Sequence, residues 1–463
     1  MKSIAQRTSI AMCAAVSVSL ALVGCSSDSE TPETSPVTET ADEAVTIKVS
    51  IDAGLEPEAR ENFDARVKAF QTAHENITVE AQEYTWTATT FTADLAGGTL
   101  PHVFTIPFTD GRGLIAAKQI ADISDLVAEL PYADQFNPNV AQAGQAEDGG
   151  QWAIPIAAYG QALHYNRTLF TEAGLDPDSP PETWDEVREA ARKISEATGE
   201  TGYATMTSSN TGGWILTTLV NAFGGHTENA DATAPTIASD PAVKEALEYL
   251  RALRWEDNSM GANFLYDWGS INQDFASGRI GMYVSGGGNY GNLVTQNALN
   301  PDDYGVTVLP LQGAQPGTLG GGTLAAVSPK GTPAEQAAAV KWIDFYYLGR
   351  FTDEQTATDA AKVAADLDQP VGAPELPLFD QEQFDAYQVW IEPYVNVPLQ
   401  QMAPYTTKSG EQELIPEPRV ATQDVYALLD AVVQAVLTNE NADIDALLAQ
   451  VQGQAESLYS QAD

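Results

Sequence analysis

The stretch from Val45 to Ala81 constrains this chain more than any other. Val45 to Ile51 (VTIKVSI) alternates and is rich in β-branched residues, which predicts a strand ending at Asp52-Ala53-Gly54. From Pro57 onward Phe63, Val67 and Phe70 recur at helical spacing, and Ile77 to Ala81 (ITVEA) is again strand-like. Strand, helix and strand in such a short span form a βαβ unit, and its crossover commits the chain to a parallel sheet. Ligands meet such sheets at the C-terminal ends of the strands. The loops Asp52 to Glu56 and Tyr84-Thr85-Trp86 are therefore candidate walls of a site.

The N-terminus bears on the compartment. Lys2 and Arg7 precede an apolar run, Ile10 to Val23, that is too short and too poor in large residues to span a membrane comfortably. It closes on Leu22-Val23-Gly24-Cys25, which resembles the lipobox of a bacterial lipoprotein signal. The resemblance implies that residues 1–24 are removed as a signal peptide and that Cys25 becomes a lipidated N-terminus. An ordinary secretory signal with an incidental cysteine is the alternative. Residues 25–44 are rich in Ser, Thr, Pro and acids, bury too little to offset their ordering entropy, and are expected to form a disordered tether. The only cysteines are Cys13 and Cys25, so the body of the protein has no disulfide and no thiolate chemistry.

Beyond the tether the chain is long enough for two domains, and an apolar content of 43% can fill their cores. Sixty-four acids against 22 bases give a net charge of −42. That balance argues against nucleic acid and against electrostatic adhesion to anionic lipid. The acids are spread along the chain without calcium-loop spacing, and the four histidines show no metal spacing. Neither a metal nor a cofactor is expected.

Further along, Phe91 to Gly98 is helical in pattern, and Leu100 to Ile106 is a third strand that delivers Pro107-Phe108-Thr109-Asp110-Gly111-Arg112. Thr183 and Glu186 form a capping box before Val187, Ala191 and Ile194, so Trp184 is read as a packing residue. Thr332-Pro333-Ala334-Glu335 is a second box. Ile280 to Val284 is a strand that opens into Gly286-Gly287-Gly288-Asn289-Tyr290, and glycines there would let a ligand approach bare backbone. Val425 to Leu437 and Ile444 to Leu458 are helical.

Several of these segments, in this order, resemble the extracellular solute-binding proteins of carbohydrate ABC importers, the group that contains maltodextrin-binding protein. The resemblance is carried by Leu95-Ala-Gly-Gly-Thr-Leu100-Pro-His-Val103, Trp152-Ala-Ile-Pro155 with Tyr165-Asn166, Pro181-Glu-Thr-Trp184-Asp-Glu186, and Phe275-Ala-Ser-Gly-Arg-Ile280-Gly-Met-Tyr283. Tyr304 to Pro310 and the terminal helices complete it. The family usually has aspartate where this chain has His102. Many members have a sugar-stacking tryptophan at the position of Gly288, for which Tyr290 is the expected substitute.

The resemblance implies an α/β, periplasmic-binding-protein-like fold: two α/β lobes with a hinge and a ligand cleft between them. The expected lobes are 45–156 with 306–355, and 157–305 with 356–463. Sugars are held by aromatic faces against ring C–H groups, with polar side chains and backbone amides on the hydroxyls. Trp86, Phe108, Asp110 and Arg112 are expected from one lobe. Tyr159, Trp268, Asn289 and Tyr290 are expected from the other, with Gly320, Gly321 and Gly322 in a loop at the return. Trp214 faces either cleft or core. The implied protein is a monomeric, lipid-anchored carrier on the outer face of the cell membrane that delivers a sugar or oligosaccharide to ABC permease subunits. A non-sugar solute is the first alternative. An exported glycoside hydrolase is the second, but it needs two facing acids where only Asp110 is well placed.

Overall fold

The computed structural model describes residues 44–52 and 57–462. The signal, Cys25, nearly all of the tether and most of the Asp52–Glu56 loop lie outside them. Nine strands occur among the described residues: β1 Val45–Ile51, β2 Ile77–Glu83, β3 Val103–Pro107, β4 Ala153–Asn166, β5 Thr201–Ala204, β6 Ile280–Gly286, β7 Tyr304–Val308, β8 Thr318–Val327 and β9 Leu414–Pro416. The βαβ unit forms as its pattern dictates, with helix Pro57–Ala73 between β1 and β2 and the two strands parallel.

The strands run in the order β2-β1-β3-β8-β4-β6-β5, with β9 beside β8 and β7 beside β4. Two sheets share β4. Its first half, Ala153 to Gly160, pairs antiparallel with β8. Its second half, from Gln161, pairs antiparallel with β6 and β7. Tyr304–Val308 thus belongs to the second sheet, and Thr318–Val327 is the strand that returns to the first.

The first sheet is covered on both faces. Along β8, Ala325 and Val327 face a core built with Phe70, Trp342 and Ile343. Leu324 and Ala326 face a smaller core with Phe91, Phe104 and Leu114. That alternation is the two-residue period of a strand, and each fully buried large apolar side chain contributes about 1.5–3 kcal/mol. Leu376, Leu378 and Phe379 join the first of these cores. The second sheet has its own large core, with Leu163, Tyr165, Met282, Val284 and Val306 against helix residues such as Val187, Ile194 and Leu219.

Both capping boxes are complete, with Thr183 and Glu186 opening helix Trp184–Thr198 and Thr332 and Glu335 opening helix Pro333–Ile343. Trp184 is buried at the start of its helix and packs edge-on against Tyr249. His102 accepts the Lys48 backbone N–H at Nδ1 (2.8 Å), and its Nε2 lies 3.6 Å from Glu335.

Candidate functional site

The C-terminal end of β3 runs directly into helix Phe108–Ala116, so Thr109 and Asp110 lie in a first turn at the ligand edge of the first sheet. β9 pairs in parallel with β8, with Pro416 opposite Gly320, and this pairing brings the next residue, Glu417, to the same edge. The Thr109 hydroxyl donates to Glu417 Oε2 across 308 residues of sequence. Tyr426 Oη donates to Glu417 Oε1 at 3.3 Å. Tyr426 stands in helix Thr422–Thr438, whose Val425, Leu429 and Val432 pack in the second core. One carboxylate therefore joins an element of the first sheet to a helix of the second.

The charges around it are partly desolvated. Burial, and then the Glu417 carboxylate, push the Asp110 carboxyl up from 3.8 to about 6. Burial likewise raises Glu417, against the hydrogen bonds from Thr109 and Tyr426 that favour its ionised form. Arg112 is lowered by burial and by the neighbouring Arg419, with Glu228 acting the other way. Its guanidinium makes no hydrogen bond or ion pair among the described residues. Glu228 is held by the Arg419 backbone N–H (3.0 Å) and by Tyr459 Oη (2.6 Å).

Tyr159 on β4 completes the group. Its phenol lies across Gly321, where a Cβ would come within 2.3 Å of Oη, and beside Gly286, where a Cβ would stand 3.5 Å from the ring. Burial and then Glu417 raise its hydroxyl pKa. Phe108 lies over Gly322, where a Cβ would come 2.7 Å from Cζ, and Leu414 fills the space at Gly320. The three glycines sit within β8 and not in a loop, and what they admit is protein: an aliphatic side chain, a tyrosine and a phenylalanine.

Asp110 and Tyr159 thus lie near the same carboxylate, Glu417, and Arg112 near Arg419 and Glu228, whereas Phe108 over Gly322 and Tyr159 over Gly321 lie on opposite faces of β8. Two other expected site residues, Asn289 and Tyr290, are buried. Tyr290 is only 2% exposed, with its ring 4.9 Å from Tyr304 inside the second core, so the stacking surface expected of it is covered. Asn289 is 8% exposed and donates to Asn272 Oδ1 (2.8 Å) and Tyr283 Oη (2.9 Å). Trp214 lies half-buried against the second core. Trp86 lies against Phe91 with an unpartnered Nε1. Trp268, the first residue of helix Trp268–Ala276, is 40% exposed. Sequence reasoning missed Thr109, Glu228, Glu417, Arg419 and Tyr426. The one available signal was Pro416-Glu417-Pro418, an acid held in extended chain between two prolines.

A family model described as bacterial extracellular solute-binding protein matches residues 53–348, more than half of the chain. The sn-glycerol-3-phosphate-binding periplasmic protein UgpB of Agrobacterium fabrum is 27% identical over 216 residues, which are 44% of this chain and 47% of that one. The Escherichia coli K12 protein of the same name is 23% identical over 262 residues, 54% and 58% of the two chains. The chain spans about half the length of the curated relatives it matches. Among solved structures, the cyclic alpha-maltosyl-1,6-maltose binding protein of Arthrobacter globiformis superposes with a TM-score of 0.68 at 23% identity, covering 90% of this chain and 99% of that one. UgpB of Mycobacterium tuberculosis in complex with glycerophosphocholine gives 0.66 at 16% identity over 90% and 99%. The two sheets sharing one strand are the two-lobed architecture of these binding proteins, and the chain belongs to the bacterial extracellular solute-binding protein family, whose members bind solutes and are not enzymes.

Proposed function

We propose that this protein captures a sugar or oligosaccharide between its lobes and delivers it to an ABC permease, acting as a monomer tethered to the outer face of the cell membrane through a lipid on Cys25. The Leu22-Val23-Gly24-Cys25 sequence supports the anchor. The lobes we assign follow the sheets. Tyr304–Val308 goes with the second, while helices Glu354–Asp366 and Gln381–Ile391 go with the first, through Phe351 against Tyr387 and Ala357 beside Ile391.

One observation carries the reading: Glu417 takes hydrogen bonds from an element of the first sheet and from a helix of the second, with Asp110 and Tyr159 close by. A solute seated there touches both lobes at once, and only such contacts favour the closed arrangement over the open one. The aromatic rings suit the C–H face of a sugar, and the carboxylates and guanidinium suit its hydroxyls. A thermal-shift screen against mono- and oligosaccharides, polyamines and amino acids tests this. A ligand at 100 times its dissociation constant stabilises the folded protein by about 2.7 kcal/mol. A shift with non-sugars alone would remove the carbohydrate class and leave the carrier.

A second reading rests on Arg112. A guanidinium without an ion pair beside a second arginine, Arg419, suits a phosphate ester, and the matched periplasmic relatives are named for sn-glycerol 3-phosphate. Glycerol 3-phosphate and glycerophosphocholine belong in the same screen. Stabilisation by either, abolished in Arg112→Gln, would favour this reading.

A further inference from the structure

Residues 416–421 form a strap that joins β9, in the first sheet, to helix Thr422–Thr438, which packs in the second core. The strap carries Glu417 and Arg419, and its backbone is held in a shape its residues do not favour. Ala421, just before the helix, has φ 47° and ψ 37°, a left-handed conformation that a non-glycine residue keeps only where its surroundings impose it. One constraint is local, the Thr422 hydroxyl donating to the Pro418 carbonyl at 2.6 Å. The other comes from Glu228. Its Oε1 accepts the Arg419 backbone N–H (3.0 Å), and its Oε2 accepts the Val420 N–H (3.3 Å) and the Tyr459 hydroxyl (2.6 Å).

Glu228 is itself well tied. It stands in a short hairpin after helix Thr211–Ala222, closed by Asn229 N–H to Ala234 O (3.0 Å) and Thr236 N–H to Thr227 O (2.9 Å). Helix Ile444–Ala462 grips the same hairpin, since Gln452 donates to the Pro235 carbonyl (2.8 Å) and accepts the Ala238 N–H (3.1 Å). Tyr459 of that helix is buried in the second core. The second lobe thus presses one carboxylate, with both oxygens engaged, onto the backbone of Arg419.

Two guanidiniums stand near that carboxylate, Arg419 on the strap and Arg112 on helix Phe108–Ala116 of the first sheet. Neither makes a side-chain hydrogen bond or ion pair among the described residues. Left to themselves, two such arginines would suit a dianionic phosphate, whereas a sugar hydroxyl needs only a donor. We propose that Glu228 is the positioning residue that sets the specificity of the solute site: by clamping the strap it places Glu417 and Arg419, and as the countercharge to Arg419 and Arg112 it holds the pair for a neutral solute and against an anion. The inference rests on the carbohydrate reading of the Glu417 cluster, and it puts the choice between the two solute classes on a side chain whose own oxygens are already taken.

The test is calorimetric titration of the full chain with maltose, glycerol 3-phosphate and inorganic phosphate. The unmodified protein is compared with Glu228→Gln, with Glu228→Ala and with Glu228→Gln combined with Arg112→Gln, each shown to be folded by circular dichroism and melting. Gln keeps an acceptor for the Arg419 N–H and removes the charge. The expected result is that Glu228→Gln binds both phosphate probes about tenfold more tightly, the scale of one nearby charge, while maltose affinity changes by less than about threefold. Added Arg112→Gln should cancel the gain, and Glu228→Ala, which also frees the strap, should gain phosphate affinity and lose maltose affinity. No gain for phosphate in either folded single variant, an equal change for maltose and phosphate, or tighter binding of glycerol 3-phosphate by the unmodified protein than by Glu228→Gln overturns the assignment. A failure of maltose and of every sugar in the screen to bind counts against the carbohydrate reading, and the phosphate titrations still decide the role of Glu228.

Discussion

Replacing Asp110 with Asn should make the protein more stable and a worse binder at the same time. The Asp110 carboxyl rises from 3.8 to about 6 because burial and Glu417 disfavour its charge. A rise of that size corresponds to about 3 kcal/mol at 1.36 kcal/mol per pH unit, and the group's partial exposure reduces it to about 1–2 kcal/mol. The sign is opposite to that of a salt-bridged acid. Below the unfolded value of 3.8 the group is protonated in both states and costs nothing. As pH climbs from 3.8 through about 6, the unfolded chain ionises first and folding loses the full amount, which stays lost at neutral pH. Asn keeps the shape of the neutral acid at every pH. Urea unfolding at pH 4.5, 6 and 7.5 should therefore show Asp110→Asn gaining over the unmodified protein as pH rises, to about 1–2 kcal/mol at pH 7.5. In the same protein, solute affinity should fall about ten- to a hundredfold, since a charged hydrogen bond contributes roughly 1.5–3 kcal/mol. A stability difference that is constant with pH, or a loss at pH 7.5, would refute the electrostatic account.

Other outcomes follow from the packing. Gly321→Ala places a methyl 2.3 Å from Tyr159 Oη; it should cost about 1–3 kcal/mol and weaken solute binding by displacing the phenol, as read by melting and titration. Tyr290→Ala, in the second core, should cost about 3–5 kcal/mol, as read by melting. Thr183→Ala removes one half of a capping box and should lower stability by about 1 kcal/mol without touching affinity.

What could be read from the sequence was local. The βαβ unit, both capping boxes and the burial of Trp184 follow from spacings of three or four residues, and helix Thr422–Thr438 from its apolar period. The glycines of β8 were visible, but their purpose was not. A glycine run announces close approach without saying whether a ligand or a tyrosine comes near, and here Tyr159, Phe108 and Leu414 do. Tyr290 shows the same limit, since an aromatic after a glycine cluster fits a cleft wall and a core equally well until Tyr304 is placed beside it. Glu417 was out of reach for a different reason. Its partner Thr109 lies 308 residues away, and no periodicity links two positions so far apart. Only the β8–β9 pairing brings them together.

The sharing of β4 between the sheets also sets an order of assembly. β8 is inserted between β3 and β4, and Thr318 Oγ1 reaches the Gln161 carbonyl across 157 residues of sequence. A growing chain makes β3 and β4 early and holds both as unpaired edges until residues 318–327 arrive to bridge them. The local βαβ unit and the helices can condense quickly, but closing the first sheet must wait for a long loop to find its ends, which makes that step the slow one. A chain cut before Thr318 would leave two bare ladders facing each other, a template for pairing with other molecules. Late truncations should therefore aggregate, where the full-length chain has its most central strand delivered well after its neighbours.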